Sequence, residues 1–196
     1  MMKKILISGL LATGLVTGVY AGGDIDPVET NDLEMTELSP FYVVTKGMII
    51  FGDTVNHGEA VHDGDQDYGF GIDIGYHIGN GFSIEYDFSY SSNTVTEKKE
   101  GEEPVNVNAK YYTSALDIVY TYELTEELGV FGKVGYEYEW EKISALDIDS
   151  TDHDFVFGAG LEVEMDEHFK FVTEYEHSLI DGPRGDSLFA GIMYTF

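Results

Sequence analysis

Ten carboxylates recur at alternate positions within aromatic-rich segments of this sequence: Asp73, Glu85, Asp87, Asp117, Glu137, Glu139, Glu162, Glu164, Glu174 and Glu176. Lys46, Lys133 and Lys170 share their parity. Acids in such excess over bases can hold cations, carry protons, or lock opposing walls together through ion pairs. Each carboxylate taken out of water unpaired is costly. Two arrangements avoid that cost. Salt bridges and hydrogen bonds can join the acids into a plug, or water and cations can share a narrow, cation-preferring path.

Other chemistry is thinner. Asp63, Asp65 and Asp67 have the alternate acidic spacing of a calcium loop. Tyr68 stands where that loop needs Gly, however, and Ile74 where it needs Glu. His57, His62 and His153 are scattered among polar stretches, and no nucleophile, base and orienting acid stand out as a set. No catalytic residue, cofactor-binding residue or metal ligand is therefore assigned, and no cofactor is expected. Zero Cys excludes disulfides, thiol catalysis and zinc–thiolate sites. With 37 acids against 10 bases, the net charge is −27. Nucleic acid is excluded as a partner, because phosphate binding needs Lys and Arg clusters.

The elements that carry the acids have period two. Phe82, Ile84, Tyr86, Phe88 and Tyr90 fall on one face of a strand, and Ser83, Glu85, Asp87, Ser89 and Ser91 on the other. Phe70, Ile72, Ile74, Tyr76 and Ile78 oppose Gly71, Asp73, Gly75, His77 and Gly79 in the same way. Stretches 41–51, 112–122, 130–141, 155–165, 169–176 and 188–196 repeat the pattern. The spacing predicts eight strands of about ten residues, the length of a tilted membrane-spanning strand. Short connections at Gly79-Asn80-Gly81, Thr125-Glu126-Glu127 and Asp166-Glu167-His168 alternate with long ones at 53–68, 92–109, 142–154 and 179–186. That is up-and-down order.

Volume decides which face points inward. An eight-stranded barrel has an interior just wide enough for side chains to fill. The apolar face is bulky and the polar face is rich in Gly and Ser, so the apolar face is expected to point outward, where lipid alone stabilises a band of that size. Phe41, Tyr76, Phe82, Tyr122, Phe169, Tyr194 and Phe196 would form one aromatic girdle. Phe51, Phe70, Tyr90, Tyr112, Trp140 and Phe155 would form the other. Residues 1–21 read as a signal peptide, with Lys3 and Lys4 before an apolar run and Val19-Tyr20-Ala21 as the cleavage site. Residues 22–40 read as an acidic periplasmic tail. The expected fold is all-β: an eight-stranded antiparallel up-and-down transmembrane β-barrel over residues 41–196, behind an N-terminal signal peptide.

On these residues the chain resembles the small eight-stranded outer-membrane barrels: the OmpA transmembrane domain, OmpX, OmpW and the broader outer-membrane β-barrel domain group. The most specific element is the last strand, with Leu188, Ala190, Ile192, Tyr194 and Phe196 at every second position. In that family Tyr194 and Phe196 would resemble the C-terminal signal read by the barrel-assembly machinery. The chain ends at Phe196, so the peptidoglycan-binding domain of full-length OmpA is expected to be absent. The resemblance implies a Gram-negative cell outer membrane, with lipid and lipopolysaccharide as partners and a monomeric state. It implies a structural, membrane-integrity or surface-interaction role through the long loops. A narrow cation-preferring channel is the first alternative and a loop-borne enzyme the second, since fold does not name function.

Overall fold

The computed structural model describes residues 38–58, 60–143, 145 and 148–196. The expected signal peptide and residues 22–37 of the expected tail lie outside the described residues. Ten strands are described: β1 (Phe41–Ile50), β2 (Thr54–His57), β3 (Ala60–Gly64), β4 (Asp67–Gly79), β5 (Phe82–Lys99), β6 (Val105–Glu123), β7 (Leu128–Ile143), β8 (Ile148–Glu164), β9 (Phe169–Ser178) and β10 (Ser187–Thr195). Eight of them close a ring in the order β1, β4, β5, β6, β7, β8, β9, β10, and β10 pairs antiparallel with β1 to seal it. The hairpin β2–β3 is additional and stands beside the upper part of β5.

The strands are longer than the sequence pattern predicts. β5 has 18 residues and β6 has 19, so the stretch 92–109 read as a loop is mostly a tall hairpin. The reason is a reversal of polarity. Up to Tyr90 the outward residues of β5 are apolar and the inward ones polar. Beyond it Ser92, Thr94 and Thr96 face out, while Val95 is buried. On β6 Asn106, Asn108 and Lys110 face out, while Val107, Ala109 and Tyr111 are buried. These buried residues join Ile143 in one apolar cluster inside the rim. Below the reversal the ring is packed for lipid, and above it for water. Reading the apolar side as a constant face ends the strand at the crossing. The hairpin β2–β3 takes over from β4 as the neighbour of β5 at this height, pairing Ala60–Gly64 with Val95–Lys99 and covering an edge otherwise left open.

The outward band is a belt of exposed Phe, Tyr, Ile and Leu. Aromatic rings pair across strands at both borders. Phe41 with Tyr76 and Phe82 with Tyr120, each at 4.8 Å, mark the turn end. Phe70 with Tyr90 at 5.6 Å and Tyr90 with Tyr112 at 5.0 Å mark the loop end.

The interior holds more bulk than expected. Tyr42, Phe131, Phe189, Met48 and Met193 are all buried inside. Space comes from glycines directly across the ladder. Gly75 is the register partner of Tyr42, and a Cβ there would lie 2.0 Å from the ring. Gly160 faces Phe131 in the same way, at 2.4 Å. Overpacking of this kind costs about 1–3 kcal/mol. Gly75→Val is therefore expected to destabilise the refolded barrel by an amount in that range, read from its urea unfolding curve. In a double-mutant cycle with Tyr42→Ala, the combined loss should be smaller than the sum of the two; strict additivity would show that the ring does not occupy the glycine's space.

Candidate functional site

β1 rises from the turn end to the loop end, so its inward residues index the interior by height. Tyr42 and Val44 come first and lie in an apolar layer with Val119, Phe131, Val172 and Met193. Lys46 follows at mid-height. Met48 and Ile50 then pack with Phe189.

The mid-height layer is ionic. Lys46 Nζ lies 2.9 Å from Asp73 Oδ2, 2.8 Å from Asp87 Oδ2 and 3.3 Å from Glu174 Oε2. Lys133 Nζ lies 3.2 Å from Asp87 Oδ2, 2.5 Å from Glu174 Oε1 and 3.3 Å from Glu176 Oε2. Asp87 and Glu174 are thus shared by both lysines. The four groups come from β1, β5, β7 and β9, which are not neighbours in the ring, so the ion pairs cross the interior rather than run along its wall. All of these side chains are buried. Each lysine is flanked by glycine in register: Gly71 and Gly191 beside Lys46, and Gly158 beside Lys133. A short aliphatic stem can therefore lie along the wall before the ammonium turns inward. Lys46 Nζ also sits 4.2 Å from the centre of the Phe189 ring.

The remaining acids occupy other heights. The Tyr42 hydroxyl donates to Glu85 Oε1 at 2.7 Å, tying the lower apolar layer to the ionic one. Asp117 is fully buried against Gly135, with no hydrogen-bond partner among the described protein atoms. Glu162 is buried and receives Lys170 at 3.0 Å and the Thr121 hydroxyl at 3.2 Å. Lys170 is only half-buried, at the turn-end mouth, where a cavity of about 500 Å3 opens. Glu164, given an inward place by parity, is exposed. It is the last residue of β8, and its N–H already bonds the Glu127 carbonyl in the neighbouring turn.

Glu137 and Glu139 meet a base the alternation pattern omits. Arg184, from the connection between β9 and β10, is buried inside the barrel. Its Nη2 lies 2.6 Å from Glu137 Oε1 and its Nε 2.7 Å from Glu139 Oε2. The Ser178 hydroxyl adds a bond to Glu137 at 2.8 Å. Asn93 is a second such residue. Its side chain donates to the Asp65 and Pro183 carbonyls at 3.1 and 3.0 Å and accepts from the Tyr111 hydroxyl at 3.1 Å. The backbone completes the closure: Phe51, Gly52 and Asp53 donate to the carbonyls of Asp186, Arg184 and Pro183. Gly185, at φ +67°, lets the chain reverse against Gly52, where a Cβ would meet the Gly52 carbonyl at 2.6 Å. The first and last long connections are thus sewn together across the loop end. Two signals were available in the sequence. Arg184 is the only Arg in the chain, and Asn93 continues the inward parity past Ser91.

The other candidate chemistry is dispersed. Asp63 accepts from Lys98 at 2.8 Å and from the Thr54 hydroxyl at 2.8 Å, and these bonds hold its carboxyl below the ordinary range. Among the described residues no group of three His, Asp or Glu is placed to hold a metal ion. His153 Nδ1 lies 2.7 Å from the Tyr136 hydroxyl on the outer wall, and His77 Nδ1 lies 2.8 Å from Ser83 Oγ at the turn-end mouth. Among the described residues no carboxylate is hydrogen-bonded to either ring.

A closed antiparallel ring with an apolar outer band, two aromatic borders and an ionic interior defines a transmembrane β-barrel. The chain belongs to the outer membrane protein beta-barrel domain family, which residues 11–196 match. Its place is accordingly the outer membrane. Solved structures share the fold. OprG of Pseudomonas aeruginosa aligns at a TM-score of 0.64 with 11% identity, over 81% of this chain and 97% of that one. AlkL in DMPC bilayers aligns at 0.56 with 13% identity, over 89% and 97%. Neisserial surface protein A aligns at 0.55 with 16% identity, over 81% and 98%. A search of curated proteins finds no match.

Removing the guanidinium of Arg184 strands two buried carboxylates, and breaking a buried pair this way costs about 3–5 kcal/mol. Arg184→Met is expected to lower the urea midpoint of the micelle-refolded barrel accordingly. Adding Glu137→Gln and Glu139→Gln to that variant should recover a large part of the loss. A silent Arg184→Met would show that the guanidinium does not lie inside.

Proposed function

We propose that this barrel is a closed structural element of the outer membrane that presents its tied, acidic loop end at the cell surface as a monomer. One observation carries the reading: Lys46 and Lys133 share Asp87 and Glu174 across the interior, so ion pairs block the section that a permeating ion would need. Apolar layers on either side of that lattice support it, as does the seating of Arg184 from above. Buried ion pairs are poor net stabilisers, yet displacing one partner leaves a buried charge uncompensated and is costly. A lattice of this kind suits a rigid post better than a gate. No catalytic role is read from His153 or His77, whose hydroxyl–imidazole contacts lack an orienting acid, nor from His177, which pairs with Asp186 on the outer wall with no nucleophile placed beside it among the described residues.

Assembly is read from β10, which closes the ring on β1. Phe196 N–H bonds the Phe41 carbonyl at 3.2 Å, at the seam between the first and last strands of the ring. We assign Tyr194 and Phe196, whose rings lie 5.1 Å apart at the turn end, to recognition by the barrel-assembly machinery. Phe196→Ala is expected to slow insertion into vesicles carrying that machinery several-fold, while spontaneous refolding into detergent stays near the parent rate. Equal slowing in both would make the ring a packing residue alone.

Planar-bilayer recording tests closure. The parent barrel is expected to give no cation-selective steps at any voltage the bilayer withstands. Steady, ohmic, cation-selective conductance would contradict the closed reading and favour the channel.

A further inference from the structure

Outward-facing charge is rare on this ring, which makes one pair of residues conspicuous. Lys110 on β6 and Lys142 on β7 are direct register partners on the outer wall. Like charges opposite each other on antiparallel strands, with Cβ atoms about 4.5–5.5 Å apart, are destabilising. The chain could have relieved them, since 37 acids are available. Lys98 and Lys99 at the tip of β5 are relieved, by Asp63 and Glu97. Among the described residues Lys142 pairs only with the exposed Asp149, at 3.6 Å, and Lys110 has no ion pair. Both ammoniums are exposed on the outer wall, open to an anion from outside the chain.

Height narrows what that anion is. The register partners one step below, on the same face, are Tyr112 and Trp140, members of the loop-end aromatic border. Two residues along an antiparallel strand span about 7 Å. The two ammoniums, on flexible stems, therefore reach the level just outside the acyl boundary, where headgroup phosphates lie. The reversal of polarity on β5 and β6 passes between the same two rows. A cleft of about 350 Å3 opens here, lined by Tyr112, Trp140, Lys142 and Asp149. Paired ammoniums above aromatic ring faces fit a phosphorylated sugar, with phosphate between the lysines and the sugar's apolar face on the rings.

We propose that Lys110, Lys142, Tyr112 and Trp140 form a binding site on the outer wall for a phosphorylated glycolipid headgroup, that of lipopolysaccharide in the outer leaflet. The site rests on the reading of the chain as an outer-membrane barrel whose loop end faces outward. It takes no part in the closed interior. The ligand holds the β6–β7 wall at the membrane border, and Asp149 limits the charge the cleft will accept.

Trp140 is the only Trp in the chain, so its emission reports on this site directly. The mature protein is refolded into phosphatidylcholine vesicles and titrated with micellar lipopolysaccharide. A saturable change in Trp140 emission and a rise in the midpoint of heat-modified gel mobility are expected. The Lys110→Gln, Lys142→Gln double variant should bind at least ten-fold more weakly, whereas Lys98→Gln, Lys99→Gln should bind as the parent does. Enzymatically dephosphorylated lipopolysaccharide should bind as weakly to the parent as the intact lipid does to the double variant. Phosphatidylglycerol vesicles and inorganic phosphate are expected to leave the emission unchanged. An equal response to phosphatidylglycerol would overturn the sugar component, and an unchanged affinity in the double variant would overturn the site. Loss of the heat-modifiable shift in the parent would instead overturn the barrel reading itself.

Discussion

Hydrocarbon offers no hydrogen-bond partner, so every backbone N–H and C=O that enters it must be satisfied by the chain itself. In this protein that constraint is met at one seam. β10 pairs with β1 over nine residues, from Tyr42 with Thr195 to Ile50 with Ser187, and no edge remains in the ring. The alternation of side chains follows from closure, because each strand then has one face toward lipid and one toward the interior. The glycine-lined grooves, the ionic lattice and the sewn loop end are ways of filling and fastening the interior that closure creates.

The same chain obeys two solvents along its height. Between the aromatic borders large apolar residues face out and charges face in. Above the loop-end border the order is inverted, and Val95, Val107, Ala109 and Ile143 face in. The ring therefore continues as a water-soluble rim without a break in hydrogen bonding. This explains why β5 to β8 are much longer than a membrane crossing requires. It also explains why Arg184 can descend into the interior: the rim and the connections tied across it exclude water around the guanidinium, and two carboxylates replace the solvent it loses.

Much of this was legible in period-two patterning. The eight crossings, the three tight turns, the inward places of Lys46, Asp73, Asp87, Lys133 and Glu174, and the outward aromatic belt all follow from alternation within single strands. Three things did not follow. The polarity reversal hides strand ends, because a rule that tracks one apolar face stops where that face becomes polar. The bulky interior of Tyr42 and Phe131 depends on Gly75 and Gly160 across the ladder, and cross-strand register is not written in either strand alone. Arg184 and Asn93 act through connections whose path is set by backbone bonds between segments distant in sequence. Glu164 shows the opposite failure, a residue whose parity is inward but whose height is beyond the wall.

The outer band between the aromatic borders touches acyl chains, while the rim above it touches water. Spin labels placed singly at Ile118, outward on β6 in mid-band, and at Asn108, outward on the same strand above Tyr112, test it most directly in vesicle-refolded protein. The label at Ile118 is expected to be relaxed by dissolved oxygen and shielded from a water-soluble nickel chelate, and the label at Asn108 to show the reverse. Equal exposure of both labels to the nickel chelate would contradict it.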